Sequence, residues 1–215
     1  MDKELYWDIL DQKREDILPL LRSFKDNFYL AGGTALALQL GHRDSIDFDF
    51  FSFNSFSTED LFKIAQQVFA GHQITKTQEA KDTLTFTIDD TIKVSFFAYP
   101  YKLISALLDA DNFMMASILD IGAMKLSAIT SRSVLKDYVD LYFILHQINL
   151  DDLLISAKEK FPTIDSNPIL KSLIYFEDIQ EEPILFKHND DISFESVKKY
   201  LTEIVKNYLS EVNKQ

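Results

Sequence analysis

Residues 28–53 of this chain have the sequence FYLAGGTALALQLGHRDSIDFDFFSF, and this stretch decides the fold. Its apolar start, Phe28 to Ala31, stops at a pair of glycines, which predicts a buried strand that ends in a tight turn. After Thr34 comes a run of residues with high helix propensity that stops at Gly41, which predicts a short helix with a glycine cap. The stretch therefore predicts a strand, a glycine turn and a helix in succession.

The turn between the predicted strand and helix has the chemistry of a phosphate site. Gly32 and Gly33 carry no side chains, so their backbone N–H groups can approach a ligand at the positive end of the helix dipole. The Thr34 hydroxyl can add a side-chain donor at the same place. A glycine pair before a helix is more often a simple turn, and that alternative stays open from these residues alone.

A second strand, with acidic residues on one face, is predicted after the helix. Residues 46–51 alternate apolar with acidic, which is the period-two pattern of a strand. In such a strand Asp47 and Asp49 point to the same face, roughly 6.5–7 Å apart along the backbone. Two carboxylates at this spacing suit Mg²⁺, and they repel each other when no cation lies between them. The pair is therefore either a metal site or the solvated face of a sheet.

The whole stretch resembles a known class of enzymes. A GG turn, a short helix and then Asp-x-Asp are similar to the signature of the nucleotidyltransferase superfamily related to DNA polymerase β. More narrowly, AGGTALALQLGHRDSIDFDFF resembles the AbiEii-type nucleotidyltransferases, the toxin components of bacterial abortive-infection toxin–antitoxin systems. The resemblance implies that Asp47 and Asp49 hold Mg²⁺ and act in catalysis. It also implies that the nucleotide is bound by the turn and by residues after the helix, namely Gly32, Gly33, Thr34, Arg43 and Ser45.

The clearest hairpin in the sequence, residues 83–97, brings a departure from the superfamily pattern. Superfamily members usually carry a third carboxylate on a strand beside Asp-x-Asp, in a local pattern similar to Lys-Val-Asp-Phe, whereas this chain has Ser95 there. A serine hydroxyl neither accepts a proton at neutral pH nor holds a cation as a carboxylate does. Three alternatives follow: an active transferase, a degenerate nucleotide-binding member that acts through a partner, or an interaction protein that only retains the fold.

A second group of charged residues lies in the predicted helices of residues 118–146. Lys125 and Arg132 are spaced to share a helical face, and Asp137 and Asp140 follow on the next helix. From the residues alone, this is most simply a pair of surface helices with ordinary salt bridges. The segment also resembles the AbiEii-type group, in which the lysine is associated with the nucleotide phosphates and the later aspartate with catalysis. The resemblance thus assigns nucleotide binding and catalysis to Lys125 and the role of base to Asp137, with Asp140 as its alternative.

Composition limits the compartment and the partners. The net charge of −12 argues against a broad electrostatic surface for nucleic acid, so an RNA acceptor would have to be met by a local site. The absence of cysteine excludes disulfides, thiolate zinc sites and a cysteine nucleophile. The sequence has no apolar run of about eighteen residues and no signal-peptide pattern at its N-terminus, so we expect a cytoplasmic protein without a membrane segment.

Together these observations predict an α+β protein. We expect a nucleotidyltransferase core over residues 1–116, with a short mixed β-sheet flanked by helices, and a helical C-terminal region over residues 117–215. The N-terminal residues 3–24 are predicted as one amphipathic helix that Pro19 kinks or divides, and residues 177–183 as an acidic loop. The expected reaction transfers a nucleoside monophosphate from an NTP, with Mg²⁺ as cofactor. The acceptor stays open among RNA, tRNA, a protein and a small molecule, and the resemblance implies a cognate antitoxin as partner.

Overall fold

The computed structural model of the chain describes residues 5–179, 182–188 and 192–212. The chain divides into two compact units, Met1–Ser117 and Ile118–Gln215. Part of the predicted acidic loop, residues 180–181, lies outside the described residues, as does the start of the predicted N-terminal helix. The first unit contains helices and a mixed sheet and the second contains helices, so the predicted α+β class is confirmed.

The first unit is built on one mixed sheet. Its strands are β1 Tyr29–Ala31, β2 Phe48–Ser52, β3 Ile74–Ala80, β4 Thr83–Ile88, β5 Ile92–Ala98, β6 Leu108–Asp109 and β7 Met114–Met115. They lie in the order β3-β4-β5-β2-β1-β7-β6. At the centre, β2 runs parallel to β5 and antiparallel to β1, so the predicted acidic strand is an inner strand of the sheet.

The helices of the first unit are α1 Gln12–Leu21, α2 Gly32–Leu40 and α3 Thr58–Val68. The prediction of a single helix over residues 3–24 was wrong in its first part, because residues 7–9 form a separate 3₁₀ turn. The Asp11 side chain accepts a hydrogen bond from the Arg14 N–H at 3.0 Å and caps a new helix there. Pro19 lies inside α1 without dividing it, and residues 22–24 continue the chain as a second 3₁₀ turn.

Helix α2 confirms the predicted strand, turn and short helix. It begins at Gly32, which has φ 72°, and ends before Gly41, which has φ 68°. Both values lie in the left-handed region, where glycine avoids the strain that a Cβ would cause. The residues from Thr34 to Gln39 are all buried, so the surrounding core fixes this helix on every side. Its N-terminus is therefore held in a constant position at the end of β1.

The two faces of the central strands differ in character. On one face Phe96 packs against Phe50 with ring centroids 5.3 Å apart and against Phe86 at 6.0 Å, and these rings form the core of the unit. Successive side chains of a strand point to opposite faces. Asp49 and Phe51, the neighbours of Phe50 in sequence, therefore lie on the other face of the sheet. The candidate site is on that face.

The second unit is helical, as predicted. Its helices are α4 Ile118–Ala128, α5 Leu135–Leu145, α6 Leu150–Lys160, α7 Ser166–Leu173 and α8 Phe194–Val212. An ion pair between Lys160 Nζ and Asp120 Oδ1, 2.9 Å long and fully buried, joins α6 to α4. No helix in the described part of the chain has both the length and the apolar character needed to cross a membrane.

Candidate functional site

Asp49 occupies the centre of the site. It is paired with Ala31 across the antiparallel contact with β1 and with Ser95 across the parallel contact with β5. Paired residues on neighbouring strands point to the same face, so the side chains of Asp49 and Ser95 are adjacent. Ser95 is 1% exposed, and its partner on β4 is Thr85, which is also buried. The two residues in register with Asp49 on β5 and β4 are thus small hydroxyl residues, and neither supplies a second carboxylate.

Asp47 lies one residue before β2, although the sequence pattern predicted a strand over residues 46–51. Its backbone carbonyl accepts a hydrogen bond from the Thr34 hydroxyl, and the carbonyl of Ile46 accepts one from Arg14 Nε at 2.7 Å. Because side chains bond these two carbonyls, strand pairing begins only at residue 48. The Asp47 carboxylate is half exposed and lies 3.5 Å from Lys93 Nζ on β5.

The glycine turn lies directly against these residues. A Cβ at Gly32 would be 3.5 Å from Asp49 Oδ2. A Cβ at Gly33 would be only 2.7 Å from Arg43 Nη2 and 3.2 Å from Ser45 Oγ. A side chain at residue 33 would therefore displace Arg43 or Ser45. The absence of side chains at the two glycines lets the start of α2 approach Asp49 on one side and the guanidinium on the other.

The electrostatics of the turn favour an anion. The start of α2 presents backbone N–H groups and the positive end of the helix dipole, and Ala31 has no side-chain oxygen with which to cap them. Arg43 is 3% exposed, and its Nη1 donates to the Asp44 carbonyl at 2.9 Å, which holds the guanidinium beside the turn. The Thr34 hydroxyl, expected from the sequence to donate to a phosphate, instead donates to the Asp47 carbonyl, so Ser45 is the donor in the 2.8 Å bond between the Ser45 and Thr34 hydroxyls. These groups suit a phosphate, which would be attracted by both positive features.

Asp47 and Asp49 form only part of a set of metal ligands. Across residues 5–179, 182–188 and 192–212, no three His, Cys, Asp or Glu side chains are grouped so that they could hold a metal ion. Asp47 and Asp49 supply two carboxylates on this side of the sheet. Mg²⁺ is commonly bound by one or two carboxylates, water and the phosphates of a nucleotide. The donor set therefore fits Mg²⁺ that arrives with an NTP.

The second charged group predicted from sequence is assembled within the second unit. Lys125 Nζ lies 2.6 Å from Asp137 Oδ1 and 2.7 Å from Asp140 Oδ2, and all three side chains are buried. Arg132 Nε donates to the other oxygen of Asp137 at 2.8 Å. Lys136, which the sequence spacing places one turn before Asp140, instead pairs with Glu182 at 2.9 Å. Both candidate aspartates thus share one lysine, and the surface-helix alternative does not describe this buried cluster.

Two residues near the site were not identified from the sequence. Lys93, two residues before Ser95, pairs with Asp47, and alternation along β5 places it on the same face as Ser95. Arg14 lies within the predicted amphipathic helix of residues 3–24, and it is 5% exposed and donates to the carbonyls of Ile46 and Thr91. The first contact could have been found from strand alternation. The second depends on long-range packing and left no local signal.

The fold and the site together define the class of protein. A glycine turn, a helix N-terminus and Asp-x-Asp on a mixed sheet are those of a nucleotidyltransferase fold. JHP933 from Helicobacter pylori has a fold similar to that of this chain, with a TM-score of 0.63 and 19% identity over 98% of this chain and 96% of its own. MenT4, a nucleotidyltransferase toxin from Mycobacterium tuberculosis H37Rv, has a TM-score of 0.59 and 14% identity over 90% of this chain and 80% of its own.

Sequence comparison gives the particular family. The profile described as "Nucleotidyl transferase AbiEii toxin, Type IV TA system" matches residues 20–207. An uncharacterised protein of Aquifex aeolicus (strain VF5) is 40% identical over 190 residues, which cover 86% of this chain and 89% of that protein. The chain therefore belongs to the AbiEii nucleotidyltransferase toxin family, and the family predicted from residues 28–53 is confirmed.

Proposed function

We propose that this chain transfers a nucleoside monophosphate from an NTP to an acceptor hydroxyl and acts as the toxin of a bacterial toxin–antitoxin pair with a role in abortive infection. One observation carries the proposal: the start of α2 at Gly32 and Gly33 lies against both Asp49 and the buried guanidinium of Arg43. Membership of the AbiEii toxin family supports the second part and implies an antitoxin as partner.

In this proposal the glycine turn binds the phosphates of the NTP. The N–H groups of Gly33 and Thr34 donate to phosphate oxygens at the helix N-terminus, and Arg43 adds a side-chain donor beside them. Ser45 would join them by turning its hydroxyl proton from Thr34 to the phosphate. Because α2 is buried, these donors are held in place before the nucleotide arrives. Such preorganised donors stabilise the charge that develops on the leaving pyrophosphate.

Asp47 and Asp49 hold Mg²⁺ together with the phosphates in this proposal. The ion, when bound, neutralises phosphate charge and favours attack at phosphorus. Asp49 lies on an inner strand of the sheet, whereas Asp47 lies one residue before β2 and forms an ion pair with Lys93. Without a nucleotide, Lys93 is therefore paired with Asp47. When Mg²⁺ and the nucleotide bind, Mg²⁺ replaces Lys93 at Asp47, and Lys93 can then contact a phosphate.

The reaction forms a bond between the acceptor oxygen and the α-phosphorus and breaks the bond to the pyrophosphate oxygen, while the acceptor hydroxyl loses its proton. The family resemblance assigns charge neutralisation to Lys125 and proton acceptance to Asp137, with Asp140 as alternative, and these roles remain predictions. Both oxygens of Asp137 accept hydrogen bonds, from Lys125 and from Arg132. Arg132 Nη2 also donates to Oδ1 at 3.2 Å, so three of the roughly four acceptor positions of Asp137 are used and one, on Oδ2, is left for the proton.

A second candidate function is nucleotide binding without transfer. It is favoured by the pairing of Asp49 with the neutral Ser95. A carboxylate at residue 95 would help to activate the acceptor, and serine cannot do so. In that case the nucleotide-bound chain would act through a partner protein.

One experiment separates the two functions. The purified protein is incubated with each α-labelled NTP, Mg²⁺ and either total bacterial RNA or a protein extract, in parallel with the variants Asp49→Ala and Ser95→Asp. Label that is transferred by the wild type and lost in Asp49→Ala supports the transferase. Label transferred only by Ser95→Asp supports nucleotide binding without transfer. If no NTP binds in a calorimetric titration with Mg²⁺, both functions are excluded.

A further inference from the structure

Arg14 joins the starts of the two central parallel strands. It lies on α1 and is buried, and its guanidinium donates from Nε to the Ile46 carbonyl at 2.7 Å and from Nη2 to the Thr91 carbonyl at 2.9 Å. Ile46 lies two residues before β2, and Thr91 lies directly before β5. One side chain therefore links two segments that are far apart in the sequence and that lead into neighbouring strands.

The guanidinium of Arg14 holds these segments at the point where strand pairing begins. The pairing of β2 with β5 starts at Phe48 and Val94. Ahead of that pair, the carbonyls of residues 46 and 91 are bound by one planar group, whose N–H donors have a fixed separation and direction. Arg14 thus fixes the spacing of the two chain segments just before they join the sheet.

The charge of Arg14 is matched on the helix side. Its Nη1 donates to the Asp11 carboxylate, which also accepts a hydrogen bond from the Arg14 backbone N–H at 3.0 Å. A buried guanidinium needs such a partner, because an unpaired charge is costly where there is little water. The Asp47 carboxylate is instead paired with Lys93. Arg14 therefore holds the backbone beside Asp47 without using its carboxylate.

The two candidate metal ligands are held in different ways. Asp49 lies within β2 and is in register with residues of both β1 and β5, so strand pairing on two sides fixes it. Asp47 lies before β2, where Arg14 binds the carbonyl of residue 46 and the Thr34 hydroxyl binds the carbonyl of residue 47. The position of Asp47 thus depends on two side chains from other segments, and that of Asp49 depends on the sheet.

We propose that Arg14 is a positioning residue for Asp47. By holding the start of β2 against the start of β5, it keeps the Asp47 carboxylate within reach of the Mg²⁺ that Asp49 also binds. This inference rests on the proposed function, because it takes Asp47 and Asp49 as metal ligands. Groups that orient metal ligands from behind typically change metal affinity about 10–100-fold when they are removed.

The first measurement uses the chain alone, without nucleotide. Hydrogen–deuterium exchange is followed in peptides that cover residues 42–50 and 88–96. Arg14→Lys keeps a cation beside Asp11 but lacks the planar fork that binds both carbonyls, so we expect exchange in these peptides to be about tenfold faster. Lys13→Met, which removes an exposed cation from the same helix, is the control and should exchange as the wild type does. Unchanged exchange in Arg14→Lys overturns the inference.

The second measurement separates positioning from a general structural role. Each α,β-methylene NTP is titrated with Mg²⁺ by calorimetry into the wild type, Arg14→Met, Asp47→Asn and the double variant. Arg14→Met should weaken binding about tenfold in the wild type and cause no further loss in Asp47→Asn, because a residue that acts through Asp47 has no effect without its carboxylate. Arg14→Lys should bind with an affinity between those of Arg14→Met and the wild type, and it takes the place of Arg14→Met if that variant does not fold.

Gly33→Ala provides the matched comparison for this cycle, since it changes the phosphate turn and not the metal ligands. Arg14→Met should weaken binding about tenfold in the Gly33→Ala background as well, because the two effects are independent.

The outcomes separate this inference from the proposed function. Equal weakening by Arg14→Met in the wild type and in Asp47→Asn assigns Arg14 a structural role alone and overturns the inference. Full affinity in Arg14→Met also overturns it and leaves the proposed function standing. A wild type that binds no NTP analogue with Mg²⁺ excludes the proposed function by that titration alone, and the inference falls with it.

Discussion

Asp49 and Ser95 are direct partners across the parallel contact of β2 and β5, and Ser95 is almost completely buried. The variant Ser95→Asp would place a second carboxylate beside Asp49 in a site with little water. Without a cation we expect it to lower the free energy of unfolding by about 1–3 kcal/mol, because two like charges repel each other there. Mg²⁺ with NTP should then raise the melting temperature of the variant more than that of the wild type.

The control for this prediction is Ser95→Asn, which adds a side chain of similar size without charge. Thermal unfolding of both variants, with and without Mg²⁺ and NTP, measures the effect. Equal responses of the two variants to Mg²⁺ would show that residue 95 lies outside the metal environment.

Asp47 and Asp49 are predicted to bind Mg²⁺ rather than to stabilise the fold. The double variant Asp47→Asn with Asp49→Asn should lose Mg²⁺-dependent NTP binding. Its free energy of unfolding should stay the same or rise, since repulsion between two carboxylates is removed and the exposed Asp47–Lys93 ion pair that is lost with it contributes little. Isothermal titration and urea denaturation check the two parts. Asp26→Asn, an exposed aspartate of the same unit, is the control. Normal NTP binding by the double variant would exclude these residues from the metal site.

Gly33 is predicted to be essential for the approach of Arg43. The methyl group of Gly33→Ala would lie 2.7 Å from Arg43 Nη2, so the buried guanidinium must move. We expect NTP binding to weaken about tenfold, which corresponds to the loss of one charge-assisted hydrogen bond. Gly71→Ala is the control, because a Cβ at Gly71 meets no atom within 4 Å. An alanine at residue 33 that leaves NTP affinity unchanged would contradict the phosphate site.

Lys125 is predicted to stabilise the second unit whatever its role in catalysis. It is the cation shared by Asp137 and Asp140, both of which are buried. Lys125→Met should lower the free energy of unfolding by about 3–5 kcal/mol, because it breaks a buried ion cluster from one side. Lys125→Arg should retain most of that stability, since a cation remains near both carboxylates.

Urea denaturation of the Lys125 variants measures this effect. The exposed pair of Lys63 and Glu59 offers the comparison, and Lys63→Met should leave unfolding unchanged. If Lys125→Arg is as stable as the wild type and still loses transfer, the lysine acts in the reaction as well as in the fold. If Lys125→Met unfolds like Lys63→Met, the cluster does not stabilise the unit.

Much of the fold followed from local patterns. The predicted hairpin is present as β4 and β5, with its turn at Asp89 and Asp90, both at positive φ. The glycine-capped α2 also lies where the sequence indicates it. These features depend on residues within one or two turns of each other, so local propensity is enough to specify them.

The site was predictable in its residue types and less so in its geometry. Asp47 was expected inside β2, but hydrogen bonds from Thr34 and Arg14 to the carbonyls of residues 47 and 46 delay the start of the strand. Asp140 lies one helical turn after Lys136 in the sequence, but it pairs with Lys125 on the preceding helix. In each case a partner distant in sequence replaced a local one.

The sequence by itself determined the local elements, the glycine turn with its two aspartates, and the family to which the chain belongs. Only the tertiary structure decided that Ser95 stands beside Asp49, that Lys93 pairs with Asp47, and that aromatic rings continue the face on which Asp49 lies. The reason is physical. Strand order and register are fixed by the packing of buried faces between segments far apart in the chain, and short-range periodicity carries no information about those partners.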